Sequence, residues 1–146
     1  MPHLIERYHD ISCGHRVSGH ESKCAHLHGH NYRITFLCEA DEKLDDIGRV
    51  IDFGVVKSAL CMWVEDHWDH KFLVWKNDPM SEALLALDPQ GVVILPFNPT
   101  AENMARHLVE HVGPMQLFPY DVTLTACKVE ETRKCSASYY LTSEEC

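Results

Sequence analysis

Residues 28–38, HGHNYRITFLC, set the tightest limit on what this chain can fold into. His28, His30, Tyr32, Ile34, Phe36 and Cys38 fall on one side of a two-residue period, and Asn31, Arg33, Thr35 and Leu37 on the other. Successive strand side chains point to opposite faces, so the run predicts a β-strand with one largely apolar face that needs a cover. His28 and His30 share that face, roughly 6–7 Å apart by strand rise. Two imidazoles at that spacing can reach one metal ion, with Gly29 between them free to bend the chain.

The cover is predicted from two helical patterns. After Asp52, an N-cap, the residues Phe53, Val56, Leu60, Trp63, Val64 and His67 recur at three- and four-residue spacing. The pattern ends where Trp68, Asp69 and His70 enter a loop. After Asn98-Pro99-Thr100, a second stripe runs Ala101, Met104, Ala105, Leu108, Val109, Val112, and Gly113-Pro114 is expected to end it. Further strands are expected over 4–13, 92–95, 120–131 and 135–141, with 132–134 as a hairpin turn. Residues 16–27 read as a polar loop, and 76–91 as a turn, a short helix and a turn. The order β-β-α-(short β)-α-β-β predicts an α+β fold, an antiparallel sheet with helices on one face. The 146 residues contain no repeat or linker, so 1–146 is expected to be a single domain with a real core.

With 22 acidic against 13 basic residues, the net charge of −9 argues against a sequence-independent grip on nucleic acid or an anionic membrane. No apolar run has the length of a transmembrane helix, and the opening MPHLIERYHD is too polar for a signal peptide; a cytoplasmic location is expected. The cysteines, Cys13, Cys24, Cys38, Cys61, Cys127, Cys135 and Cys146, are odd in number and form no C-x-x-C pair. Reduced thiols, mostly small buried hydrophobes, are the natural reading.

Histidine is concentrated in one place: His15, His20, His26, His28 and His30 lie within sixteen residues. Any one of them alone would be read as a surface or hydrogen-bonding group. His15, His28 and His30 together form an H-x12-H-x-H set, and three neutral imidazoles with a fourth position open are the ligand set of a catalytic zinc. His20 and His26 fall in the polar loop and are expected to be solvated. His3, His9, His107 and His111 have no second candidate ligand nearby. Cys24, four residues before His28, could close the metal site as a fourth ligand or serve as a free base beside it; spacing leaves both open.

These residues carry a resemblance. SCGH (12–15), C-x3-H-G-H (24–30), VIDFGVVK (50–57), the Asp69-His70 pair followed by Leu73, NPTAEN (98–103) and VEET (129–132) occur in this order over nearly the whole chain. In this the sequence resembles the 6-pyruvoyl-tetrahydropterin synthase family, including its bacterial 6-carboxy-tetrahydropterin synthase branch from queuosine biosynthesis. The resemblance implies a T-fold, an antiparallel four-stranded sheet with two helices on one face. It also implies a homohexamer built as a dimer of trimers, with active sites at subunit interfaces. It assigns zinc to His15, His28 and His30, and makes Cys24 a catalytic thiol rather than a ligand. Asp69 and His70 match the second catalytic pair, the carboxylate orienting the imidazole. Glu131 matches the pterin anchor, a carboxylate able to accept two hydrogen bonds from a flat heterocycle. Thr100 and Glu102 match a substrate-contacting motif that helix capping explains nearly as well.

The implied substrate is 7,8-dihydroneopterin triphosphate, for whose phosphates Arg16, Lys23, Lys57 and Arg133 are the available cations. The gap between Cys24 and the H-G-H is three residues, Ala25-His26-Leu27, which resembles the carboxy-forming branch. The expected activity is therefore a zinc-dependent lyase giving 6-carboxy-tetrahydropterin, acetaldehyde and triphosphate, with the pyruvoyl-forming reaction as the alternative. A non-catalytic zinc- or pterin-binding T-fold protein is the more remote reading.

Overall fold

The computed structural model describes residues 3–142; Cys146 lies outside them. Strands β1 (Leu4–His15) and β2 (His28–Ala40) form an antiparallel pair in unbroken register, from Leu4 opposite Glu39 to His15 opposite His28. The period-two pattern of β2 decides which face is covered. Tyr32, Ile34, Phe36 and Cys38 are fully buried, while Asn31 and Arg33 are exposed. On the other side of β2 lies β5 (Val122–Glu130), followed by β6 (Ser136–Tyr140), both antiparallel. A register shift opposite Leu37/Cys38 leaves Thr125 as an extra residue in β5. Because of that bulge, Val122 and Leu124 share the covered face with Cys127 and Val129 although their parity differs.

The sheet is larger and less uniform than the expected four antiparallel strands. It has six, in the order β4-β3-β1-β2-β5-β6. The two additions, β3 (Phe72–Trp75) and β4 (Val92–Leu95), run parallel to β1 and to each other, joined by the short helix α2 (Ser81–Leu87). The sequence predicts β4 as a strand, whereas β3 falls where a loop is expected. Leu73 and Val74 are both fully buried, so FLVW shows the continuous apolar run of a strand covered on two faces rather than an alternation.

Two long helices cover that buried face of the hairpin. Helix α1 comprises Phe53–Val56, a π-helical turn Lys57–Cys61 and Met62–His67, with the Asp52 side chain accepting from the Gly54 N–H at 2.7 Å as its cap. Phe53, expected on the buried stripe, is 53% exposed; the stripe that reaches the core is Val56, Leu60, Cys61 and Val64. Helix α3 comprises Ala101–His107, a π-helical turn Leu108–Val112 and Gly113–Leu117. All six residues of its predicted stripe are buried. It does not stop at Gly113-Pro114. The Gly113 N–H reaches back to the Leu108 carbonyl, so Pro114 enters where the regular ladder is already widened and its missing N–H breaks little. Gly113 also permits the closest helix–sheet approach, since a Cβ there would stand 2.9 Å from the Leu124 Cβ. Among the described residues, no helix is long and apolar enough to cross a membrane.

Candidate active site

The β1–β2 register delivers the histidines. His15 faces His28 across the pair, and Cys13 faces His30 two residue pairs further in. One ring nitrogen from each of His15, His28 and His30 lies within 4.8 Å of the others. His15 is 1% exposed. Its Nδ1 donates to the Pro99 carbonyl at 2.7 Å, with the Tyr32 hydroxyl 3.2 Å away. His28 Nδ1 donates to the His26 carbonyl at 2.8 Å. A carbonyl only accepts, so both Nδ1 atoms carry the proton and both Nε2 atoms of the neutral rings are bare. Those two nitrogens sit 2.9 Å apart. Among the described residues, His30 Nε2 is buried without a hydrogen-bond partner.

Burial drives the His15 imidazole down to about 4, outweighing the Pro99 hydrogen bond that pulls the other way. Burial lowers His30 as well, against the pull of the Glu131 charge. Two imidazoles with their outer nitrogens fixed by carbonyls, converging with a third whose Nε2 has no hydrogen-bond partner among the described residues, make a donor set suited to a dication. These three residues can hold a metal ion. The Cys24 thiol is not among the atoms that meet there.

Each remaining candidate has a definite place. Glu131 follows β5 on the Cys127–Val129 face, its carboxylate 3.8 Å from His30 Nε2. The bulge falls at Thr125, well before it, so the register at Glu130 and Glu131 is the plain alternating one. Cys24 is half-buried on a single helical turn, Lys23–Ala25, with its carbonyl accepting from the Val17 N–H at 2.8 Å. The Thr100 hydroxyl accepts from the Asn103 N–H at 3.1 Å and caps α3. Asn98 pairs with the Ser18 backbone in both directions, at 3.1 and 2.9 Å. The NPTAEN motif thus ties the polar loop to the helix start and presents the Pro99 carbonyl to His15.

Asp69 and His70 stand elsewhere. They run alongside β1: the Asp69 carboxylate accepts from the Ser12 N–H at 2.8 Å, and the His70 N–H donates to the Ser12 carbonyl. His70 Nδ1 lies 2.8 Å from the other Asp69 oxygen. His70 holds a left-handed backbone, φ 60°, which is rare outside glycine, and its ring is 81% exposed. Burial pushes the Asp69 carboxyl up, but the Ser12 N–H, His70 and Glu65 together more than offset it and hold it below the ordinary carboxylate value. The pair borders a cavity of about 710 Å³ lined by Asp10, Ser12, Asn31, Arg33, Glu130 and Arg133 among others. By strand alternation Ser12, Asn31 and Arg33 lie on the face opposite His15, His30 and Tyr32. The histidine triad and the Asp69–His70 pair therefore lie toward opposite faces of one sheet.

The supports of this site are not evident in the sequence. Glu65 bridges Asp69 and His9, with His9 Nε2 at 2.6 Å; its place one helical turn before Asp69 was the available signal. Tyr32 and the Pro99 carbonyl, which orient His15, had none. His20 and His26 stay outside the cluster, as expected. Of the cations, Lys23 and Lys57 are exposed, Arg133 lines the cavity, and Arg16 turns inward to Asp78.

Comparison with known proteins agrees over most of the chain. A family model described as 6-pyruvoyl tetrahydropterin synthase matches residues 4–142. A Rickettsia typhi protein named 6-carboxy-5,6,7,8-tetrahydropterin synthase is 34% identical over 127 residues, 86% of this chain and 91% of that one. A Halobacterium salinarum protein, named as a probable enzyme of the same kind, is 38% identical over 123 residues, 84% of this chain and 76% of that one. Among solved structures, an uncharacterized Wolinella succinogenes protein superposes with a TM-score of 0.83 at 23% identity, covering 96% of this chain and 98% of that one. The Caenorhabditis elegans 6-pyruvoyl tetrahydropterin synthase gives 0.69 at 24% identity, covering 97% of each. These two likenesses concern the fold, and they join the sequence matches in one conclusion: the chain belongs to the 6-pyruvoyl tetrahydropterin synthase family.

Proposed function

We propose that this protein is a zinc-dependent 6-carboxy-5,6,7,8-tetrahydropterin synthase, converting 7,8-dihydroneopterin triphosphate to 6-carboxy-tetrahydropterin, acetaldehyde and triphosphate. The observation that carries the reading is the convergence of three imidazole nitrogens next to a carboxylate, Glu131, on the same face. Relatives at 33–38% identity bear the carboxy-forming name, and the three-residue gap between Cys24 and His28 agrees.

His15, His28 and His30 would hold the ion; when bound, zinc supplies Lewis-acid stabilisation of negative charge developing on a side-chain oxygen. Glu131 accepts from the pterin's amino and ring N–H groups and fixes the plane of the heterocycle. Cys24 Sγ takes and returns a proton on one side of the reacting carbons. His70 Nε2, with Nδ1 held by Asp69, does so on the other. Thr100 acts by position, since its hydroxyl is occupied in the α3 cap beside the Pro99 carbonyl.

The dyad and the triad on opposite faces of the sheet support an oligomer in which His70 of one copy serves the metal site of a neighbour. A homohexamer of two stacked trimers is the assembly we propose. The reading is tested by incubating the zinc-loaded protein with 7,8-dihydroneopterin triphosphate and analysing products. Acetaldehyde and 6-carboxy-tetrahydropterin in equal amounts are expected. A 6-pyruvoyl product without acetaldehyde would replace the reading with the pyruvoyl-forming reaction, and no turnover would leave a zinc- and pterin-binding protein.

A further inference from the structure

Arg16 follows a metal-ligating histidine, and a cation there is the obvious candidate for a phosphate contact. Its guanidinium is committed elsewhere. Nε donates to Asp78 Oδ2 at 2.8 Å, and Nη1 donates to the carbonyl of Ala25, the residue after Cys24. The Asp78 carboxylate is fully buried and the Arg16 side chain 15% exposed. Asp78 uses its second oxygen to accept from the Met80 N–H at 2.8 Å, and its backbone N–H and carbonyl close the turn between β3 and α2. A carboxylate without solvent persists only when charge and hydrogen bonds both compensate it, and here they do.

The loop that carries Cys24 has few other ties. Val17 bonds the Cys24 carbonyl, Asn98 holds Ser18, and the segment Lys23–Ala25 buries no residue fully. We propose that the Arg16–Asp78 pair is the positioning device for the Cys24 thiol. A two-pronged guanidinium couples the parallel β3–α2 unit to the turn bearing the reactive sulfur, and Arg16 makes no contact with substrate phosphate. The planar fork matters: a lysine ammonium keeps the charge but cannot reach Asp78 and the Ala25 carbonyl in this geometry at once. The kinetic part of the proposal rests on the lyase reading above; the thiol part does not.

The test compares Arg16→Lys and Asp78→Asn with the wild type, all zinc-loaded. Alkylation of Cys24 by iodoacetamide is followed by peptide mass spectrometry, alongside zinc stoichiometry, deuterium exchange and steady-state kinetics with 7,8-dihydroneopterin triphosphate. Both variants are expected to keep one zinc per chain and to change the Cys24 alkylation rate at least threefold. Exchange at the Val17 and Ala25 amides should quicken, and kcat should fall about tenfold with KM within twofold. A phosphate role would give the opposite split: Arg16→Lys with kcat near wild type, and Asp78→Asn with kcat near wild type and a KM lowered more than twofold. That split, loss of zinc, or an unaltered alkylation rate overturns the proposal. Absence of wild-type turnover would overturn the lyase reading alone, because alkylation and exchange still decide the staple. If Asp78→Asn does not fold, Arg16→Lys carries the test.

Discussion

At the scale of single residues, the histidine cluster is a place where stability and the proposed function pull apart. A buried polar atom without a partner costs about 1–3 kcal/mol, and His30 Nε2 is such an atom. Replacing it with an apolar ring of similar shape removes that cost and a proposed metal ligand together. His30→Phe is therefore expected to make the metal-free protein at least as stable as the wild type in urea unfolding. Its zinc affinity should fall by more than the 10–100-fold typical of losing an outer-shell partner, as read by competition with a chelating dye. A metal-free His30→Phe protein less stable by about 2 kcal/mol would mean that His30 is a packing residue first. The thiols divide equally plainly. Burial pushes Cys13 and Cys38 up to about 12 and raises Cys127 further, so at neutral pH they stay protonated and inert. Cys24 and Cys135, the cysteines of the described chain that are not buried, are the ones open to reagents.

At the scale of elements, both long helices carry a π-helical turn, and in each the extra residue keeps the buried stripe in phase with the sheet. Gly113, just past the turn in α3, shows how little slack remains. Alanine there would gain about 1 kcal/mol of helix propensity but meet the Leu124 side chain at 2.9 Å. Overpacking of a tight core costs about 1–3 kcal/mol. Gly113→Ala is expected to lower stability by about 1–2 kcal/mol, and a stabilised variant would show that the contact is easily relieved. His107, between Phe97, Trp68 and His111, is lowered by burial and then by the His111 charge. Its folded value lies below the unfolded one. The stabilisation it contributes is thus complete above the unfolded value of about 6.5 and is lost as pH falls through the folded value. His107→Phe removes that titration. The loss of unfolding free energy between pH 7.5 and 5 should be smaller in the variant than in the wild type, and equal losses would remove His107 from the acid response.

At the scale of the whole molecule, the sheet separates what the chemistry must join. His15, His28 and His30 project toward the helices, while the exposed His70 ring borders the cavity on the other face. If neighbouring copies complete each other's sites, Cys24→Ala and His70→Ala proteins are each inactive alone but complement when mixed. Random assembly of equal amounts gives about a quarter of sites with an intact thiol and an intact dyad. Refolding the two variants together and assaying turnover checks this; no recovery would place both groups within one chain's own site.

The sequence by itself determined what local periodicity can report. The alternation in β2, the buried stripe of α3, the Asp52 cap and the H-x12-H-x-H set were all legible, because each depends on residues a few positions apart or on one strand pair. Tertiary structure decided the rest. Strand β3 hid in a run with no period, since both its faces are covered. Helix α3 passed through Gly113-Pro114 because a π turn upstream had already opened the ladder. Arg16, read as a cation for phosphate, met Asp78, 62 residues on, and His15 was oriented by a carbonyl 84 residues away. Such contacts form only when the chain closes on itself, and the free energy that fixes them, burial set against the need to satisfy every buried polar atom, has no signature within a short window of sequence. Composition offered the candidate ligands; the fold brought their nitrogens together and decided which face of the sheet each group serves.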